Sequence, residues 1–277
     1  MIRGQEGDTA VNSLSREQIS TAVRIVVKVG SSSISGDNVD QIAPLVDALA
    51  AAHARGAEVV LVSSGAIATG MPYLSLGDRP TDLATQQAAA SVGQSLLISQ
   101  YQNSLDRYDI VAGQVLLTAG DLENATPRSN AQRAMDRLLD LRILPIVNEN
   151  DTVATHEIRF GDNDRLAALV AALIGADLLV LLSDVDALYT RPPELPGAER
   201  VSYVASGDPL PGMEFGSTSV NGVGTGGAST KVSAARLAAA AGTGVLVTAT
   251  TLAAEALRGE RVGTWFEPAA APFRRVW

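Results

Sequence analysis

The residues of this chain best suited to chemistry are carboxylates, amides and lysines gathered at a few turns. From Pro145 to Ala168 the sequence reads PIVNENDTVATHEIRFGDNDRLAA. An apolar run, Ile143 to Val147, breaks into Asn148-Glu149-Asn150-Asp151. A second polar turn, Gly161-Asp162-Asn163-Asp164, then opens a helical pattern. Glu149, Asp151, Asp162 and Asp164 therefore lie in two turns, each at the end of an element, and oxygen ligands so placed could hold a divalent cation. Two lysines suggest a different chemistry. Lys28 lies in Arg24-Ile25-Val26-Val27-Lys28-Val29. A lysine buried in such a run needs an anionic partner, a ligand or an outward path. It reads either as an edge-strand lysine reaching solvent or, with Gly30-Ser31 following, as a phosphate contact, because glycine lets backbone N–H groups approach an oxyanion. Lys231 follows Gly224-Thr225-Gly226-Gly227-Ala228-Ser229-Thr230 at the start of a helical pattern. Helix N-termini favour anions, and a lysine there makes sense when a negative group shares the place. Ser64-Gly65-Ala66 repeats the arrangement after another apolar run, with Ser64 as a ligand contact or a plain helix cap.

The elements that must position these residues alternate in type. Strand patterns cover residues 24–29, 58–62, 110–117, 143–147, 178–182, 245–248 and 262–266. Helical patterns cover 40–55, about 66–73, 82–105 with a bend near Gly93, 128–141, 164–174 and 231–241. Residues 1–22 read as a polar tail or a short leading helix, and 191–197 (RPPELPG) as loop. Strands apolar throughout, alternating with helices, mark a mainly parallel sheet covered on both faces. Ligands of such sheets bind beyond the carboxyl ends of the strands. Those ends carry Gly30-Ser31, Ser64-Gly65, Asn148 to Asp151 and Ser183-Asp184, which predicts one composite site.

Composition removes several classes of function. The 277 residues suit one large α/β domain or two small ones. A formal net charge of −9 argues against nucleic acid or an acidic membrane as the main partner. The absence of Cys removes thiol nucleophiles and disulfides, and two His, His53 and His156, cannot supply a histidine-rich metal site. A GxxxxGK[ST] loop is missing. Ser229 stands in the last place of a G-x-G-x-x-G begun at Gly224, which disfavours a hydride-transfer enzyme. No apolar run is long enough to span a bilayer, and the first residues show no signal-peptide pattern, so the expected location is cytoplasmic.

Six motifs in order carry a resemblance. They are Val27-Lys28-Val29-Gly30-Ser31, Val62-Ser63-Ser64-Gly65-Ala66-Ile67-Ala68, Gly113-Gln114-Val115-Leu116-Leu117-Thr118, Val147-Asn148-Glu149-Asn150-Asp151, Gly161-Asp162-Asn163-Asp164 and Gly224 to Lys231. Together they resemble the amino-acid kinase family, in the branch that phosphorylates glutamate. The resemblance covers roughly residues 23–267, leaving 1–22 as a polar tail and 268–277 as a short C-terminal tail. It implies a three-layer α/β/α sandwich around a mainly parallel sheet. It also implies ATP-dependent phosphorylation of the γ-carboxylate of L-glutamate, the first step of proline synthesis, with Mg²⁺ held mainly by the ATP phosphates and no protein metal site.

Carried over by position, Lys28, Gly30, Ser31, Ser183, Asp184 and the run Thr225-Gly226-Gly227-Ala228-Ser229-Thr230-Lys231 would line the nucleotide site. Ser64, Gly65, Asn148, Asp151, Asp162 and Asn163 would surround glutamate, with Asp151 on its ammonium group. Asp164 would hold Lys28 and Lys231, the catalytic lysines. No role is implied for Glu149. Ala228 stands where the family usually has Met. Many family members continue into an RNA-binding-type PUA domain; these 277 residues hold none, which reads either as a kinase-only form or as part of a longer chain. A homo-oligomer, dimer or tetramer, is implied, with the helix at 82–105 as interface, and proline as feedback inhibitor. The competing readings are a kinase of N-acetylglutamate, aspartate or carbamate, a nucleotide-binding regulator of the same fold, and a metal-dependent hydrolase built on the carboxylates.

Overall fold

The computed structural model describes residues 14–154, 163–210 and 227–270. In chain order the strands are β1 (Arg24–Val29), β2 (Glu58–Ser63), β3 (Ala112–Leu117), β4 (Leu144–Glu149), β5 (Leu178–Ser183), β6 (Leu188–Tyr189), β7 (Arg200–Val201), β8 (Tyr203–Val204), β9 (Gly244–Ala249) and β10 (Thr264–Phe266). The α-helices are α1 (Ile42–Ala54), α2 (Ala66–Gly70), α3 (Leu83–Leu105), α4 (Ala119–Glu123), α5 (Ala125–Asp140), α6 (Asn163–Ile174), α7 (Ala228–Ala240) and α8 (Ala253–Arg258). The main sheet has the order β3-β4-β2-β1-β5-β9-β10-β8, with β10 antiparallel to β9 and the other neighbours parallel. A two-stranded hairpin, β6–β7, frames the RPPELPG loop.

The mainly parallel sheet covered on both faces, expected from the alternating pattern, is present, as is the three-layer sandwich that the family resemblance implies. Successive side chains of each central strand enter opposite cores, as the period of two demands. Ile25, Val27 and Val29 of β1 join Val59 and Leu61 of β2 against α1, α3 and α8. Val26 joins Val60, Val62, Leu179 and Leu181 against α5, α6 and α7. Both faces are dry, which explains why these strands read as unbroken Val/Leu/Ile runs rather than alternating ones.

Several expectations need correcting. Lys28 is not on an edge strand: it registers with Val62 of β2 and Leu181 of β5, in the middle of the sheet. Gly93, where a bend was expected, makes a close approach to α2. A side chain begun at Gly93 would lie 1.7 Å from the carbonyl oxygen of Ala66, and one at Gly70 would lie 2.0 Å from that of Ala89. The backbones of α2 and α3 touch at this glycine pair. Helix α7 begins at Ala228, so Lys231 lies inside its first turn rather than at its start. The helices α4 and α8 and the two-residue strands β6, β7 and β8 were not expected. They are too short to show periodicity. Of the two readings of the N-terminal stretch, the described part takes the helical one: residues 16–21 form a 3-10 helix, and Ile19 is fully buried against the first core.

Candidate active site

The strand ends β1, β2, β4 and β5 open on one cleft. Its cavity volume is about 140 Å³, and it opens to solvent. The strand order reverses across β1 and β5, the place where ligands bind in open parallel sheets. Lys28, Gly30, Ser31, Ser64, Gly65, Asn148, Asp151, Asn163, Ser183, Asp184 and Lys231 all line this cleft. Ala228, Ser229 and Thr230 form the first turn of α7, capped by Gly227. Asp162, Thr225 and Gly226 lie outside the described residues.

The floor of the cleft is a buried charge cluster. Lys28 leaves β1 on the face that meets α6 and α7, the same side as Val26. There its Nζ lies 2.5 Å from Asp164 Oδ1. Asp164, in the first turn of α6, is fully buried, and its Oδ2 lies 3.1 Å from Lys231 Nζ. The Thr230 hydroxyl lies 3.2 Å from the same oxygen and 2.9 Å from the Gly227 carbonyl, with one proton to share between them. One carboxylate thus holds two lysines from different elements, each under 8% exposed. This arrangement answers the metal reading: Asp164 is engaged by two ammonium groups, so it cannot join Glu149 and Asp151 in a carboxylate cage. Among the described residues no group of three potential ligands comes together.

Backbone turns roof the floor. A side chain begun at Gly30 would lie 3.9 Å from Lys28 Nζ, so the turn after β1 passes directly over the ammonium. Ser33 and Ser32 donate to Asp184 at 3.0 and 3.2 Å, tying the ends of β1 and β5 together. Gly65 caps α2 with φ +100°, a left-handed conformation that favours glycine. The cap is therefore Gly65 and not Ser64, which lines the cleft.

The opposite wall is an amide network. Asn163 donates to the Ser63 carbonyl at 2.7 Å and to Asn148 Oδ1 at 2.8 Å. Asn148 in turn donates to Gln94 of α3 at 2.8 Å. Beneath it, Ser63 Oγ donates to the Ser64 carbonyl, so Tyr101 Oη donates to Ser63 Oγ at 2.9 Å. Burial pushes the Tyr101 phenol well above its ordinary range, so it remains a donor. Glu149, for which no role was expected, is buried and lines the cleft beside Asp151.

Sequence reasoning missed Ser32, Ser33, Arg79 and Gln94. The serines continue the Gly30-Ser31 turn and could have been read with it. Arg79 comes from the loop before α3 and lines the cleft; nothing in its local sequence marks it. Gln94 lies in an Ala- and Gln-rich helix where any of several glutamines could face inward.

Comparison with known proteins agrees with this architecture. The profile of the amino acid kinase family matches residues 23–249. Glutamate 5-kinase of Clavibacter sepedonicus is 77% identical over 254 residues, covering 92% of this chain and 98% of its own. Glutamate 5-kinase of Leifsonia xyli subsp. xyli is 75% identical over 254 residues, 92% of this chain and 94% of its own. That of Thermobifida fusca is 56% identical over 258 residues, with 92% and 66% covered. Among solved structures, carbamate kinase from Giardia lamblia bound to AMP-PNP superposes with a TM-score of 0.66 at 17% identity, covering 90% of this chain and 100% of that one; this likeness concerns the fold. The chain belongs to the amino acid kinase family, on the branch of the glutamate 5-kinases.

Proposed function

We propose that the chain transfers the γ-phosphoryl group of ATP to the γ-carboxylate of L-glutamate, giving L-glutamyl 5-phosphate for proline biosynthesis. The observation that carries the reading is the buried Lys28–Asp164–Lys231 cluster at the floor of the cleft. A carboxylate is already a nucleophile at neutral pH, so the transfer needs no general base. Catalysis then reduces to aligning two anions and offsetting their repulsion. Lys28 and Lys231 lie beside the transferred phosphoryl group and stabilise the charge it spreads, while Asp164 keeps both ammonium groups oriented. The residues fit a polyphosphate: two buried ammonium groups face the cleft, the Gly30–Ser33 turn closes over one of them, and the N-terminal turn of α7 adds its dipole. Mg²⁺ arriving with ATP supplies further charge neutralisation and is held chiefly by the phosphates.

Ser183, Asp184 and the 225–231 run take the nucleotide. Ser64, Gly65, Asn148, Asp151 and Asn163 take glutamate, with Asp151 paired to the α-ammonium group. That carboxylate favours free glutamate over N-acetylglutamate, which brings no ammonium charge for it to attract. The functional unit spans residues 23–267. A dimer or tetramer, and inhibition by proline, complete the reading.

The test is an assay of hydroxylamine-trapped γ-glutamyl phosphate with glutamate, ATP and Mg²⁺, with N-acetylglutamate, aspartate and carbamate as competing acceptors in an ADP-release assay. Glutamate-dependent hydroxamate is the expected result. ADP release with another acceptor but not with glutamate would overturn it, and nucleotide binding without any turnover would point instead to a regulatory protein.

A further inference from the structure

Two backbone groups fix the orientation of the amides in the cleft wall. A carbonyl oxygen only accepts, so the Asn163 atom 2.7 Å from the Ser63 carbonyl is the amide nitrogen. Its other N–H goes to Asn148 at 2.8 Å, so both Asn163 donors are engaged. The Asn148 atom that accepts it also takes the backbone N–H of Glu149 at 2.8 Å and must be oxygen. The Asn148 amino group is thereby turned toward α3, where Gln94 Oε1 accepts it at 2.8 Å.

We propose that Gln94 is a positioning residue that completes this relay and sets the polarity of the substrate clamp. Asn163 can offer the cleft only its oxygen, an acceptor suited to an ammonium group. Asn148 offers its remaining N–H, a donor suited to a carboxylate oxygen. The inference rests on the glutamate reading above and deepens it: the wall discriminates the two ends of an amino acid zwitterion, and α3, which need not touch substrate, sets the discrimination. Without an acceptor at position 94, a buried Asn148 N–H loses its partner and the amide loses one of its anchors.

Two measurements on the full chain test this. In steady-state assays, Gln94→Leu should raise the KM for glutamate about tenfold while the KM for ATP moves by less than about twofold. Gln94→Glu, which keeps an acceptor, should bring the glutamate KM back to within about threefold of the parent. An unchanged glutamate KM in the Leu variant, equal effects on both substrates, or a Glu variant as damaged as the Leu variant would each overturn the proposal. The second measurement is side-chain amide NMR of ¹⁵N-labelled parent protein. The Asn163 NH₂ protons should both exchange slowly; exchange at the rate of an exposed asparagine would refute the relay even if the Leu variant failed to fold. Failure of the glutamate assay alone would sink the proposed activity, while the amide signals would still decide the relay.

Discussion

Replacing Asp164 by Asn changes one atom type at the centre of the charge cluster. The carboxylate is 0% exposed, with Lys28 at 2.5 Å and Lys231 at 3.1 Å. With an effective dielectric constant of about 20, each of those contacts is about 5–7 kcal/mol of gross attraction, most of it offset by desolvation. The net loss on removing the shared partner of a buried pair is about 3–5 kcal/mol, because two ammonium groups then stay buried without their carboxylate. At about 2–4 °C per kcal/mol for a domain of this size, the melting temperature should fall by about 6–20 °C. Turnover should fall about a hundredfold or more, since both lysines lose their common anchor. The arrangement makes a further, less obvious demand. In the variant the phosphates of a bound non-hydrolysable ATP analogue take over charge neutralisation that Asp164 supplied to the lysines, so the analogue should raise its Tm more than it raises that of the parent. Differential scanning fluorimetry with and without the analogue, together with the hydroxamate assay, reads all three effects. A variant with parental Tm and turnover, or one stabilised less than the parent by the analogue, would refute the reasoning.

Lys231→Ala should lower kcat about a hundredfold or more in the hydroxamate assay, as loss of a transition-state charge contact does; unchanged kcat would remove Lys231 from the mechanism. Asp151→Asn should raise the KM for glutamate more than that for ATP, and equal shifts would count against an ammonium contact. Gly93→Ala should destabilise the fold by about 3 kcal/mol, the upper end for overpacking, because the added methyl group meets a backbone carbonyl that cannot turn aside; urea denaturation would show a lowered midpoint, and an unchanged one would mean that α2 and α3 can part freely.

What the sequence disclosed followed from periodicity and local chemistry. Strands buried on both faces betray themselves as apolar runs, so β1, β2, β4, β5 and β9 were legible within a residue or two. Lys28 and Lys231 were legible because each is a charge where the local pattern has no use for one. Their meeting on Asp164 was supplied by the family resemblance rather than by spacing. Local reading alone first grouped Asp164 with Glu149, Asp151 and Asp162 as a metal cage, since neighbours in sequence look like neighbours in space. Asp164 opens α6 and is buried at the floor against the two lysines, while Glu149 ends β4 and Asp151 follows it, both lining the cleft. Gln94 and Tyr101 were not legible at all. Their contacts with Asn148 and Ser63 exist only once α3 is laid across the ends of β2 and β4, and no local rule selects one glutamine of that helix. Gly93 was noticed as a place for a bend, and its close approach to α2 shows only once the opposing backbone is seen.

The crossing of α2 and α3 has a consequence for how the sequence can change. Each glycine faces the other helix's backbone, so enlarging either one meets the same obstacle, and enlarging both doubles it. Gly70 and Gly93 are far apart in the chain yet behave as a single locus with no compensating partner to mutate. A library randomised at both positions should return the glycine pair almost alone among active clones. A lineage could leave that pair only by rebuilding the whole crossing, together with the Ser64-Gly65 turn at one end of α2 and Gln94 one step along α3.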